Sequence, residues 1–180
     1  IPRITGSIIP PKLSQKEIDD FVSAAVANGQ SLYTVDVAML NKLSPDLILT
    51  QGLCDVCAVT SDTLEASLRG VDCQFPASCS LLSLEGMSFE GIYNDLIQIA
   101  LQTGTVPKAH QLISEARNRL SSLKAKGPPP KLLALEWIEP FFSAGHWVPE
   151  QINIAGAISC LSSSGLPSKR LSLEDLVSSI

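Results

Sequence analysis

The residues best equipped for chemistry lie in two short stretches. The first, QGLCDVCAVT, sets Cys54 and Cys57 in a C-x-x-C spacing directly after an apolar run. Thiol–disulfide exchangers carry such a pair after a strand, at the start of a helix that lowers the first thiol's pKa. Here no apolar helix follows at once, and the proline that usually faces such a pair cannot be placed. A zinc site would need two more ligands, and Cys73 and Cys79 stand at a short spacing that does not match the usual one. Cysteines that simply position a loop are the plainer reading.

The second stretch is LEWIEPFFSAGHWVPE, residues 135–150. Trp137, Trp147, Phe141 and Phe142 offer large apolar area and two indole donors, which suits a wide, flat organic ligand and suits a core equally well. His146 follows Ala144–Gly145 in a loop after a strand, the place where ligands meet the protein in open α/β sheets. One histidine makes no triad: Ser143 is near in sequence, but no G-x-S-x-G elbow exists. Strand alternation puts Glu136 and Ile138 on one face and Trp137 on the other. That leaves Glu136 to be buried beneath a cleft, with an unseen partner. The other histidine, His110, sits among polar residues of a long helix and reads as a surface residue.

Nothing else in the chain signals a catalytic centre. There is no G-x-G-x-x-G, no P-loop and no H-E-x-x-H. No catalytic residue and no metal site is assigned. The chain has 180 residues, 45% hydrophobic and 17% charged, with 13 basic against 18 acidic residues and a net charge of -5. That balance argues against nucleic acid, whose phosphates need basic neutralisation. No run approaches the eighteen apolar residues of a membrane span, so membrane insertion is not expected. The opening IPRITGSIIPPKLSQ lacks the basic head and apolar run of a secretory signal. Five cysteines, an odd count, do not form a closed disulfide framework. Both points favour a cytoplasmic or organellar compartment.

The elements that must position these residues follow an α/β rhythm. After an extended opening, Ser14 and Glu17 form a capping box for a helix with Ile18, Phe21, Val22 and Ala25 inside, stopped at Asn28–Gly29. Asp36 caps a short helix through Leu43, and Leu47–Thr50 reads as a buried parallel strand. A helix over 61–70, a strand over 78–84 and a helix over 88–104 follow. The longest helical pattern runs from Pro107 to about Lys126, with Ala109, Leu112, Ile113, Ala116, Leu120 and Leu123 on one stripe. KGPPP breaks the chain, KLLALEWI is the next strand, and PEQINIAGA is a short helix. Ser172 and Asp175 are spaced to cap a last helix. No internal repeat is visible.

The long segments SLYTVDVAMLNKLSPDLILTQGLCDVCAV (31–59) and LEWIEPFFSAGHWVPEQINIAGA (135–157), with the opening ITGSIIPPKLSQKEID, resemble a branch of the cobalamin- and siderophore-type substrate-binding proteins of ABC importers. The resemblance covers almost the whole chain. It implies an α/β fold of two Rossmann-like lobes joined by a long backbone helix. Residues 1–106 would form the N-terminal lobe, 107–126 the connecting helix and 127–180 the start of the C-terminal lobe. Family members carry an earlier strand and helix and continue beyond residue 180, so the first lobe would lack its opening elements and the second would be incomplete.

The resemblance also implies a non-catalytic role. A bulky organic or metal-chelate ligand, such as cobalamin or an iron-siderophore, would bind in an inter-lobe cleft. Trp137, His146 and Trp147 would line one wall, and Gln51 with Asp55 would supply polar contacts on the other. An ABC transporter permease would be the protein partner and the periplasm the location. The rivals are a thiol–disulfide oxidoreductase using Cys54 and Cys57, a hydrolase near Glu136 and His146, and a structural or regulatory relative without a ligand.

Overall fold

The computed structural model describes residues 2–52, 64, 79–124 and 127–179. The chain divides into two compact units, Ile1–Glu85 and Gly86–Ile180. Among the described residues the strands form four two-stranded pairs, two parallel and two antiparallel.

In the first unit, β1 (Thr5–Ser7) pairs antiparallel with β2 (Tyr33–Val35), and α1 (Gln15–Ala27) connects them. The start of α1 is the reciprocal cap that its sequence dictates. The Ser14 hydroxyl accepts from the Glu17 N–H at 3.3 Å, and the Glu17 carboxylate accepts from the Ser14 N–H at 2.8 Å. Ile18, Phe21, Val22 and Ala25 face inward, with Ala25 fully buried. Asp36 caps α2 (Val37–Leu43) by accepting from the Met39 N–H at 2.9 Å.

β3 (Leu47–Gln51) then runs parallel to β4 (Ser80–Leu84), from Leu47 opposite Ser80 to Gln51 opposite Leu84. Leu49 and Leu81 stay 47% and 41% exposed. The expectation of a buried strand is therefore corrected: of β3 only Thr50 is fully buried, while Leu47 and Ile48 are half-buried. The helix expected over 61–70 lies outside the described residues, Leu64 excepted.

The second unit opens with α3 (Phe89–Thr103), ended by Gly104 at φ +69°. It is followed by α4 (Val106–Ser121), with Pro107 in its first turn. The periodic stripe is narrower than expected. Ala109 and Ile113 are buried and Ala116 and Leu120 half-buried, whereas Leu112 and Leu123 lie largely in solvent. The helix also stops short of residue 126. Ser121 and Ser122 turn their hydroxyls onto the carbonyls of Asn118 and Arg119, competing with the backbone ladder where the apolar stripe runs out. His110 is exposed, as the sequence implied.

KLLALEWI is not one strand but two. β5 (Lys131–Leu132) pairs parallel with β8 (Ile158–Ser159), while β6 (Leu135–Ile138) pairs antiparallel with β7 (Phe141–Ser143). The change of partner falls at Ala134, whose carbonyl accepts from the Ala144 N–H at 2.9 Å. α5 (Val148–Ile154) and α6 (Leu173–Ser178) complete the unit. At α6 the Ser172 hydroxyl accepts from the Asp175 N–H at 3.1 Å and the Asp175 carboxylate accepts from the Ser172 N–H at 2.8 Å. No helix among the described residues is long and apolar enough to cross a membrane.

Both capping carboxyls are held below their ordinary pKa, first by the serine backbone N–H and then by the serine hydroxyl. A lowered folded-state pKa adds stability that is present above the unfolded value and lost as pH falls through the folded one. Carboxyl carbon NMR should find Glu17 and Asp175 titrating below the ordinary range of about 4. Ser14→Ala removes the hydroxyl but keeps the backbone N–H, so it should raise the Glu17 midpoint only part of the way toward that range and leave Asp175 unmoved; a Glu17 midpoint unchanged by the substitution would contradict the hydroxyl's share in the cap.

Candidate functional site

The aromatic–histidine stretch builds a hairpin and the loop that leaves it. Burial alternates along β6, with Leu135 and Trp137 half-buried and Glu136 and Ile138 exposed. The exposure of Glu136 corrects the burial expected for it, and the register on β7 shifts at this residue, between Leu135 and Trp137. The partners of Glu136 are now identified. One carboxylate oxygen accepts from the Gly145 N–H at 3.0 Å, and the other accepts a short hydrogen bond from the Ser168 hydroxyl.

Trp137 sits opposite Phe142, close to the turn. Its indole N–H donates to the Glu139 carbonyl at 2.9 Å, so that donor serves the hairpin itself. The register runs from Ile138–Phe141 at the turn to Leu135–Ser143 at the open end. His146 and Trp147 follow Ser143 and therefore leave from the end opposite the turn. Their rings approach to 5.8 Å between centroids, tilted at 45°.

A strap over residues 165–171 fixes that loop. The Ser143 N–H donates to the Lys169 carbonyl at 2.9 Å and the Leu171 N–H to the Phe141 carbonyl at 2.8 Å. His146 exchanges a pair of bonds with the strap, giving its N–H to Leu166 at 2.6 Å and accepting from the Gly165 N–H at 2.9 Å. The strap passes so near the loop that a Cβ on Gly145 would lie 2.3 Å from the Ser168 nitrogen. Only glycine fits there. Ser143 and Ala144, at the edge of this seam, are buried, and so is Pro149 in the first turn of the following helix.

Two unfavourable features coincide at His146 among the described residues. Its backbone is left-handed, at φ +57°, which costs a non-glycine residue about 1–2 kcal/mol. Its Nε2 is closed to solvent and finds no hydrogen-bond partner in the described structure. A buried polar atom without a partner costs about 1–3 kcal/mol and calls for an explanation. An imidazole nitrogen can accept or donate a hydrogen bond, or ligate a metal. To meet a ligand, this one must turn out of its present seat.

Beyond the loop, α5 begins at Val148, and its Glu150 carboxylate accepts from the Phe89 N–H at 2.9 Å. The negative charge thus sits at the electropositive end of α3. Loop residues 144–147 are therefore held on one side by Glu136 and on the other by Glu150. Sequence reading missed Gly145, Ser168 and Glu150. The tight GLPSKR segment was the available signal for the strap, but its partner strand cannot be read locally.

In the first unit, Gln51 is the exposed last residue of β3. Asp55, Cys54, Cys57 and Cys73 lie outside the described residues. A shallow groove of about 540 Å³ runs over β1 and β2, lined by Arg3, Thr5, Ser7 and Asp36 among others. It is open and mostly polar, unlike the concave apolar walls of small-molecule sites, and contains none of the candidate residues. Among the described residues, no three His, Cys, Asp or Glu side chains come together to hold a metal ion.

No family model matches the sequence, and no curated protein matches it. Solved structures do match in fold. An ABC transporter substrate-binding protein from Listeria monocytogenes superposes with a TM-score of 0.60 at 14% identity, over 81% of this chain and 54% of that one. The periplasmic heme-binding protein RhuT from Roseiflexus gives 0.57 at 18%, over 81% and 55%. The fold is that of periplasmic substrate-binding proteins. The periplasmic vitamin B12 binding protein BtuF of Vibrio cholerae gives 0.50 at 15%, again over 81% and 55%. The resemblance drawn from the sequence is thus met at the level of fold, and the chain spans about half the length of these structures.

Gly145→Ala should lower stability by about 1–3 kcal/mol, the usual cost of forcing a methyl into filled space. A urea midpoint equal to wild type would show that the strap does not press on the loop.

Proposed function

We propose that the chain is a non-catalytic solute-binding module whose ligand is a bulky organic or metal-chelate molecule of the cobalamin, heme or iron-siderophore kind. The observation that carries this reading is the loop of the second unit, where a strained His146 with an unpartnered ring nitrogen stands against Trp147. Solved proteins of the same fold that bind vitamin B12 and heme support it. A loop with a fixed backbone, one aromatic face and one polar nitrogen that becomes available when the His146 ring turns outward suits a large, flat ligand, which gains most from apolar area and a few oriented polar groups.

In this reading Trp147 supplies the apolar face, His146 turns its ring outward to meet a polar or metal atom, and Trp137 stiffens the hairpin. The sequence resemblance alone assigns Gln51 and Asp55 as polar ligand contacts. The same resemblance assigns residues 107–126 as a connector between lobes of 1–106 and 127–180, and an ABC transporter permease as the protein partner.

Titration with cyanocobalamin and with hemin, followed by tryptophan fluorescence and difference absorbance, tests the proposal. Saturable binding of at least one is expected. His146→Ala and Trp147→Ala should each weaken it at least tenfold, about 1.4 kcal/mol, and His110→Ala should leave it unchanged. Absence of saturable binding for both ligands, or equal binding by all three variants, would overturn the reading.

A further inference from the structure

We propose that Glu136 is a positioning residue that latches the backbone of the His146–Trp147 loop, the frame from which the His146 ring turns outward, and that it does so without touching the ligand. The inference rests on the binding role proposed above for that loop.

The chemistry of the latch follows from one carboxylate with two oxygens and two different clients. One oxygen accepts from the Gly145 N–H, on the residue just before His146. The other accepts from the hydroxyl of Ser168, on the strap that pairs with His146 through Leu166 and Gly165. Glu136 therefore ties loop and strap to β6 at once. Bonds from neutral donors to an ionised carboxylate are roughly twice as strong as neutral pairs, so a single side chain can hold both.

A latch is needed because the loop carries a backbone it would otherwise abandon. His146 is left-handed, and beyond the Ala144 N–H, which donates to the Ala134 carbonyl, the described pairing of segment 144–147 is with the strap. The strap is itself irregular, meeting β7 in an isolated bridge between Phe142 and Arg170. Without Glu136 the Gly145 N–H would lose its acceptor, and Ser168 would lose the bond that draws the strap across Gly145. The His146 backbone could then relax toward the right-handed region, swinging imidazole and indole away from each other.

Glu136 is the extra residue where the register of β6 on β7 shifts between Leu135 and Trp137, which leaves its carboxylate free to reach loop and strap together. Both of its oxygens are already engaged, so its effect on binding is transmitted through Gly145 and Ser168. A rigid loop pays less ordering entropy on binding, and loss of the latch should appear mainly as faster release of ligand.

Amide hydrogen exchange on the full chain, read residue by residue without ligand, tests the latch directly. Glu136→Ala is expected to raise exchange at Gly145 and His146 at least tenfold while leaving Ile113 in α4 unchanged. Glu136→Gln keeps an acceptor for Gly145 and a polar partner for Ser168, and should restore most of the protection. Ser168→Ala should give a partial effect.

Equal exchange at Gly145 and His146 in wild type and Glu136→Ala would overturn the proposal. So would a rise at Ile113 equal to that in the loop, since that reports general loosening. Stopped-flow release of hemin or cyanocobalamin from the same variants then joins latch to function: release should quicken at least tenfold in Glu136→Ala and recover in Glu136→Gln. If exchange responds as expected but the wild-type chain binds neither probe, the latch stands and the binding reading fails. If the probes bind and release is unaffected by Glu136→Ala, the latch fails and the binding reading stands.

Discussion

The second unit hangs on one seam of backbone hydrogen bonds, in which residues 141–146 run against residues 165–171. β7 is only three residues long and its hairpin partner β6 only four. An isolated two-stranded hairpin is marginal in water. The strap supplies a third chain on the other edge of β7, pairing Ser143 with Lys169 and Phe141 with Leu171. It also covers Ser143 and Ala144, which are almost completely buried. Because the strap lies some twenty residues downstream, the loop between hairpin and α5 is held by distant sequence rather than by its own propensity.

Electrostatics then refine what the seam begins. Glu136 and Glu150 bracket the loop, one receiving the Gly145 N–H and the other the first N–H of α3. Each carboxylate satisfies a backbone donor that irregular structure would leave without a partner. The surface pair Arg117–Glu90, with the Arg117 guanidinium 5.1 Å over the Tyr93 ring, joins α4 to α3. It is exposed and adds little by itself. Strain is concentrated instead at His146, where an unfavourable backbone coincides with a ring nitrogen that has no partner among the described residues. A folded protein tolerates such a residue where its surroundings over-determine it, and sites of this kind gather where ligands bind.

Local chemistry made the helices legible. The reciprocal caps at Ser14–Glu17 and Ser172–Asp175, the cap at Asp36 and the stop at Gly104 are all written within four residues of where they act. The strands were less legible. β2 and β8 have three and two residues, too few for a period-two pattern to emerge. KLLALEWI looks continuous because its apolar content ignores the change of partner at Ala134. The site was half visible: residue types pointed to His146 and Trp147, whereas alternation could not show that the register shifts at Glu136 and leaves it exposed. The strap was not visible, because Ser168 and Gly165 act through positions that only the folded chain brings near Gly145. The wider resemblance, carried by residues 31–59 and 135–157, anticipated the fold that solved substrate-binding proteins share at 14–18% identity.

The central claim is that the loop of His146 and Trp147 meets the ligand. The most direct test is a proton–nitrogen NMR spectrum of the two indole groups and the imidazole side chains, recorded with and without the diamagnetic probe cyanocobalamin. The account predicts large shifts for the Trp147 indole and the His146 ring, a smaller one for Trp137, whose N–H is committed to Glu139, and none for His110. Saturating probe that moves other residues and leaves His146 and Trp147 where they were would contradict it.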